Sequence, residues 1–251
     1  MIDLTGRTVL ISGGSRGIGA ACVELFSRAN ADTAFTYKNN SSAADDLIGR
    51  MKAARRIIAY KMDMESEGDI NLKVGQIINE FGRIDILVNN AGIWNFGAAD
   101  EMLLSHWEET IRVNLTGSFL LAKAVIPYMK KNKFGRIINI TSTAGQRGEA
   151  FHSHYAASKG GLISYTKSLA PELADFNITV NSVAPGWVDT DMCKEVFSDK
   201  EYVESIKKSI PVHRIATAED IAGPVLFLAS DLARHINGEI LNVNGGSVLC
   251  G

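Results

Sequence analysis

The chain has 251 residues, 46% of them apolar and 22% charged, an ordinary globular composition with enough apolar material to bury a sizeable core. Its 26 basic and 28 acidic residues leave a net charge of −2 with no long run of one sign, whereas a nucleic-acid binder usually shows a basic excess or patch. No window reaches the roughly 18 uninterrupted apolar residues of a membrane span. "TVLI" near the N-terminus is too short for a leader, and the separated Cys22, Cys193 and Cys250 suggest neither disulfides nor a zinc site. The expectation is a cytoplasmic protein without nucleic-acid or membrane partners.

Short apolar runs alternate with longer stretches of helical periodicity. The expected strands are RTVLIS (7–12), DTAFTY (32–37), RIIAYKM (56–62), IDILVNN (84–90), GRIINIT (135–141), ITVNSVA (178–184) and EILNVNG (239–245). Most are unbroken rather than alternating, the pattern of parallel strands covered on both faces. Between them, GIGAACVELFSRA, SSAADDLIGRMKA, EGDINLKVGQIINEF, a segment near 105–131, HYAASKGGLISYTKSLAPELA and TAEDIAGPVLFLASD carry apolar residues at three- and four-residue spacing. Leu162, Leu169 and Leu173 are one such set, and Pro171 is expected to bend or break that helix. The alternation predicts an α/β fold: a single-domain, Rossmann-type, doubly wound parallel sheet of about seven strands with helices on both faces. Nothing divides the chain, so 1–251 reads as one domain. The least periodic region, about 186–212, is expected to be a mobile lid beyond the carboxyl ends of the strands.

The first strand runs into SGGSRGIG (12–19) and directly into a helix. Gly13, Gly17 and Gly19 permit a tight turn and close backbone approach, and with Ser15, Arg16 and Ile18 they leave N–H groups at a helix N-terminus aimed at an anion. Such a stretch in an arbitrary loop is often only a flexible turn; between first strand and first helix it is what a dinucleotide diphosphate requires. An NAD site places an acid at the end of the second strand. Here the chain reads TYKNNSS from Thr36, with no carboxylate before Asp45, so Tyr37, Lys38 and Arg16 are expected to face a 2′-phosphate and to favour NADP(H). Asp63 and Met64 end the third strand, and Asn90, Ala91 and Gly92 of NNAG end the fourth, on the edge where the adenine end would rest.

In YAASK (155–159), Tyr155 and Lys159 stand one helical turn apart on one face. An isolated pair of this kind is usually a surface accident. A phenol titrates near pH 10, too high for ready proton exchange at neutrality, and an adjacent ammonium favours the phenolate.

Taken in order, SGGSRGIG, NNAG and YAASK resemble the short-chain dehydrogenase/reductase family over nearly the whole chain, with Ser12 replacing the family's Thr. The resemblance implies a catalytic set of Asn114 in VNLTGSF, Ser142 in INITSTAG, Tyr155 and Lys159. It implies hydride transfer from nicotinamide to a carbonyl carbon, with Ser142 hydrogen-bonding the oxygen and Tyr155 protonating it. Lys159 would lower the phenol pKa and orient the ribose, and Asn114 would hold a water linking Lys159 to solvent. PGWVDTDM (185–192) resembles the segment that contacts the nicotinamide carboxamide, with Thr190 as the contact beside Pro185, Gly186 and Val188.

Within the family the chain is most similar to the 3-oxoacyl-[acyl-carrier-protein] reductases, through SRGIG, FGRIINITS, VLFLASD and VNGG. That similarity implies a thioester carbonyl substrate in fatty acid synthesis and acyl carrier protein as a partner. Reductases of sugars, polyols, steroids and xenobiotic carbonyls are alternatives of equal length, and the fold also serves non-catalytic NADP sensors. Two departures keep those alternatives open: Phe176 stands where the acyl-carrier enzymes usually carry Arg, and FHSH precedes Tyr155 where they have Gln and Asn. Trp94, His152 and Trp187 are candidate substrate contacts. His152 and His154 have no ligand-spaced partner, so no metal is expected. Surplus apolar residues on the helices near 105–131 and 153–175, and in NVNGGSVLCG, are expected to assemble a homotetramer with 222 symmetry.

Overall fold

Seven strands form where the apolar runs stand: β1 (Thr8–Ile11), β2 (Asp32–Tyr37), β3 (Ile57–Lys61), β4 (Ile86–Asn89), β5 (Gly135–Ile140), β6 (Ile178–Pro185) and β7 (Ile240–Val243). They pair in parallel in the order β3-β2-β1-β4-β5-β6-β7. This computed structural model describes residues 2–51 and 55–249; Lys52 and Ala53 of the second expected helix, and Cys250 and Gly251 of the C-terminal segment, lie outside the described residues.

The unbroken apolar runs have a structural reason. Successive side chains of a strand point to opposite faces, and here both faces are covered. Val9, Ile11, Ile86, Val88, Ile138 and Ile140 enter one core, while Leu10, Leu87 and Ile137 enter the other. The helices are α1 (Gly17–Arg28), α2 (Ser41–Arg50), α3 (Glu67–Phe81), α4 (Leu104–Ile111), α5 (Gly117–Asn132), α6 (Thr143–Arg147), α7 (Ser153–Leu173), α8 (Lys200–Ser209) and α9 (Ala218–Ala229). Phe26 of α1, Leu47 of α2 and Val225 of α9 close the first core, and Ile77 of α3, Val125 of α5 and Leu173 of α7 close the second.

Three local expectations change. The segment near 105–131 is two α-helices joined through a π turn, Arg112–Thr116, which carries Asn114. A π turn inserts a residue into the helical ladder and is often found at functional sites. The helix containing Pro171 is not broken there; α7 runs on to Leu173 before tightening into a 3-10 turn at Ala174–Phe176. The region 186–212 is not irregular throughout, because it contains α8. That helix escapes a periodicity search because Ile206 is its only buried side chain, although the Asp199 carboxylate caps it by accepting from the Glu201 and Tyr202 N–H groups.

Candidate active site

Strand order reverses between β1 and β4, the place where an open α/β sheet receives a ligand. A cleft of about 660 Å³ lies there, beyond the carboxyl ends of the strands. One wall is the turn between β1 and α1. Gly13 and Gly17 have φ of +64° and +54°, and a Cβ at Gly19 would lie 2.2 Å from the Gly13 carbonyl oxygen. The turn is locked from below. Asn90 Nδ2 donates to the Ser12 and Gly13 carbonyls, both at 3.0 Å, and Ser12 Oγ accepts from the N–H groups of Asn90 and Ala91. The hydroxyl common to Ser and Thr is what position 12 needs. No side chain caps α1, and its first turn carries no acid, so its leading N–H groups suit a diphosphate.

Ser15, Arg16, Ile18, Tyr37, Met64 and Gly92 line the same cleft, as do Pro185, Gly186, Val188 and Thr190. The segment after β6 leans back over the glycine turn: a Cβ on Gly17 would lie 3.3 Å from Thr190 Cγ2. Gly19 lies beneath the turn and does not line the cleft.

At the adenine end, Lys38 is not free. Its Nζ lies 2.5 Å from Glu65 Oε2 and 3.2 Å from Asp63 Oδ1, and these contacts, Glu65 foremost, hold its pKa above the ordinary lysine value. The carboxyl end of the second strand lacks an acid, but the loop after β3 brings two to it. That pairing across the sheet has no signature in the sequence.

At the other end, Ser142 and Tyr155 meet. Ser142 is the N-cap of α6, accepting from the Ala144 N–H at 3.0 Å, and it hydrogen-bonds the Tyr155 phenol. Tyr155 is partly open to the cleft. Burial raises its pKa well above the ordinary value, the Ser142 hydrogen bond opposes that rise, and the charges of Glu149 and Cys193 add to it. Within the chain itself, then, desolvation outweighs the expected lowering. Lys159 is 4% exposed, its Nζ donates to the Ile140 carbonyl at 2.8 Å, and it stands 5.8 Å from the Tyr155 ring centroid. Burial lowers its pKa from 10.5 to about 8.

This shift has a signed consequence. From pH 8 to 10.5 the unfolded chain holds a proton at Lys159 that the folded chain has released, so this residue's contribution to stability grows as pH rises through that window. Thermal melts of the protein and of Lys159→Met from about pH 8 to 10 are expected to diverge in favour of the lysine as pH increases.

Asn114 is fully buried and does not line the cleft. Its Oδ1 accepts from Ile93 N–H at 2.8 Å, and its Nδ2 donates to the Ile93 carbonyl and to Ser158 Oγ. Ser158 in turn donates to the Tyr155 carbonyl at 2.7 Å. The π turn therefore aims an amide that ties the loop segment following β4 to the helix bearing Tyr155 and Lys159.

Of the substrate candidates, Trp94 and Trp187 line the cleft edge to face with each other, ring centroids 6.1 Å apart. His152 does not line it; it stacks behind Trp94 at 4.4 Å. Cys193 lines the cleft, its thiol pushed up to about 11 by burial. Arg147 and Glu149 line it as well. They escaped the sequence reading because charged residues in a polar loop look solvated. Among the described residues no His, Cys, Asp and Glu side chains cluster as metal ligands, and no helix is long and apolar enough to cross a membrane.

A family model described as Enoyl-(Acyl carrier protein) reductase matches residues 13–247. The 3-oxoacyl-[acyl-carrier-protein] reductase of Synechocystis sp. is 39% identical over 251 residues, covering 99% of this chain and all of that protein. The enzymes of the same name from Aquifex aeolicus and Escherichia coli are 40% and 39% identical, with 98% of each chain covered. A solved structure from Brucella melitensis, described as a short-chain dehydrogenase/reductase of the glucose/ribitol dehydrogenase type, superposes with a TM-score of 0.93 at 32% identity, covering 99% of both chains. With the glycine turn, the cleft and the sheet order agreeing, this chain belongs to the short-chain dehydrogenase/reductase family.

Proposed function

We propose that the protein is an NADPH-dependent carbonyl reductase acting on a 3-oxoacyl group in thioester linkage, with acyl carrier protein as the donor of that group. The observation that carries the reading is the meeting of Tyr155 and Ser142 at one end of a cleft whose other end is the glycine turn. A bound nicotinamide supplies the hydride chemistry. Tyr155 gives its phenolic proton to the carbonyl oxygen as charge builds there, and Ser142 donates a hydrogen bond to the same oxygen. A raised phenol pKa keeps that proton in place at neutral pH for this direction of reaction. Lys159 is the positioning cation beneath the phenol, and Asn114 braces the helix that carries both. The catalytic set is thus Ser142, Tyr155 and Lys159, with Asn114 in support.

The thioester substrate is supported by relatives 39–40% identical over essentially their whole length. The likeness to a structure of the glucose/ribitol dehydrogenase type favours a second reading, a sugar or polyol carbonyl. Initial rates with NADPH on acetoacetyl thioesters and on sugars decide between them; saturable turnover of a sugar alone overturns the thioester reading.

NADPH over NADH is proposed on Arg16 and Lys38, both lining the cleft. Glu65 competes with a 2′-phosphate for the Lys38 ammonium. Glu65→Gln is therefore expected to tighten NADPH binding about fivefold, the scale of an exposed ion pair, with NADH affected less, and Lys38→Gln is expected to weaken NADPH selectively. Fluorescence titration with both cofactors measures each. A homotetramer is proposed on exposed apolar side chains of the helix pair α4 and α5, Leu104, Trp107 and Phe119 among them.

A further inference from the structure

Glu149 occupies an unusual position for a loop glutamate. It follows Gly148, whose φ is +79°, between α6 and α7, and it turns its side chain into the cleft wall, where only 21% of it remains exposed. Its nearest cationic candidate is His152, with Nδ1 3.8 Å from Oε1. That nitrogen is engaged elsewhere, 3.0 Å from the Ala150 carbonyl, an acceptor to which it must donate. Among the described residues no donor makes a hydrogen bond to the Glu149 carboxylate. The carboxylate keeps some access to solvent through the cleft, so it is free to accept from a ligand that enters there.

Its surroundings suggest the kind of ligand. Glu149 shares the cleft with Tyr155, Ser142, Trp94 and Trp187. Trp94 is held flat by its stack on His152, with 4° between the rings, and Phe197 packs against Trp187 at 5.9 Å. Two fixed indoles give apolar walls but no acceptor, whereas the Glu149 carboxylate is a strong acceptor close enough to Tyr155 for its charge to act on the phenol.

We propose that Glu149 recognises substrate: its carboxylate accepts a hydrogen bond from a polar hydrogen, N–H or O–H, that the substrate carries near the reacting carbonyl. A thioester would offer the first amide N–H of its pantetheine-like arm, and a polyol-derived ketone would offer a hydroxyl. The inference rests on the carbonyl-reductase reading of the cleft.

Two substrate pairs test it. Acetoacetyl-N-acetylcysteamine has the amide N–H that S-ethyl acetothioacetate lacks, and erythrulose has the hydroxyls that 2-butanone lacks. Measured as kcat/KM with NADPH, Glu149→Ala is expected to cost the donor-bearing member of the productive pair about ten- to a hundredfold more than its partner, the range for a hydrogen bond to a charged group. Glu149→Gln keeps a carbonyl acceptor and is expected to recover part of that loss. NADPH binding by each variant, followed by fluorescence, reports that the fold is intact. Equal losses on both members of each pair, or no loss on any, overturn the assignment while leaving the reductase reading in place. Failure of the unsubstituted protein to reduce any of the four overturns both.

Discussion

Replacing Tyr155 with phenylalanine is expected to lower kcat by about a thousandfold, the usual worth of a positioned general acid, with NADPH affinity little changed. The substitution removes one oxygen and keeps the ring, so the packing of α7 survives. What is lost is the proton for the carbonyl oxygen and the hydrogen bond that joins the phenol to Ser142. Single-turnover rates beside a fluorescence titration of NADPH separate the two effects. A fall in affinity matching the fall in rate would mean that the hydroxyl serves cofactor binding. Unchanged turnover would remove Tyr155 from the chemistry, and a protein that binds NADPH but turns over no carbonyl would be the sensor the fold also permits.

The largest stability effect is expected at Asp85, far from the cleft. Asp85 is fully buried at the entrance to β4, and its carboxylate accepts from the Thr8 N–H at 3.0 Å and from Arg83 Nε at 2.7 Å. It also accepts from Arg7 Nη1 at 3.3 Å, and the Arg7 guanidinium rests 3.6 Å from the Phe134 ring centroid. The carboxylate thus pins the first residue of β1 to the strand beside it. Asp85→Ala leaves the Thr8 N–H unpaired out of reach of water and releases both arginines, which are part-exposed and recover some hydration. A loss of about 3 kcal/mol is expected, below the full penalty for stranding a deeply buried charge. Urea denaturation reads it as a lower midpoint with an unchanged slope, and Asp85→Asn, which retains an acceptor, falls between.

What could be read from the sequence follows from how local its causes are. Strand positions were legible because a doubly covered strand is apolar at every residue, as at Val9, Leu10 and Ile11, which divide between the two cores. The glycine turn was legible because Gly13 and Gly17 hold positive φ that other residues resist. Features made by distant segments were not. The acids on Lys38 come from the loop after the neighbouring strand, and Glu149 lines the cleft only because the chain folds the loop between α6 and α7 against it. The commitment of the Asn114 side chain to Ile93 and Ser158 was not legible either, because that geometry depends on the π turn.

The π turn also bears on how this chain tolerates insertions and deletions. A π turn spends about one residue more than an α turn on the same rotation, so removing one of residues 112–116 would restore a regular helix and leave the helix that follows close to its present phase. Leu121 and Val125 would stay on the sheet, while Asn114, inside the wide turn, would lose its line to Ile93. The extra residue is therefore spent on the aim of the amide beneath the cleft and not on the hydrophobic stripe of α5, so a one-residue deletion in this stretch is expected to disturb the site before it disturbs the core.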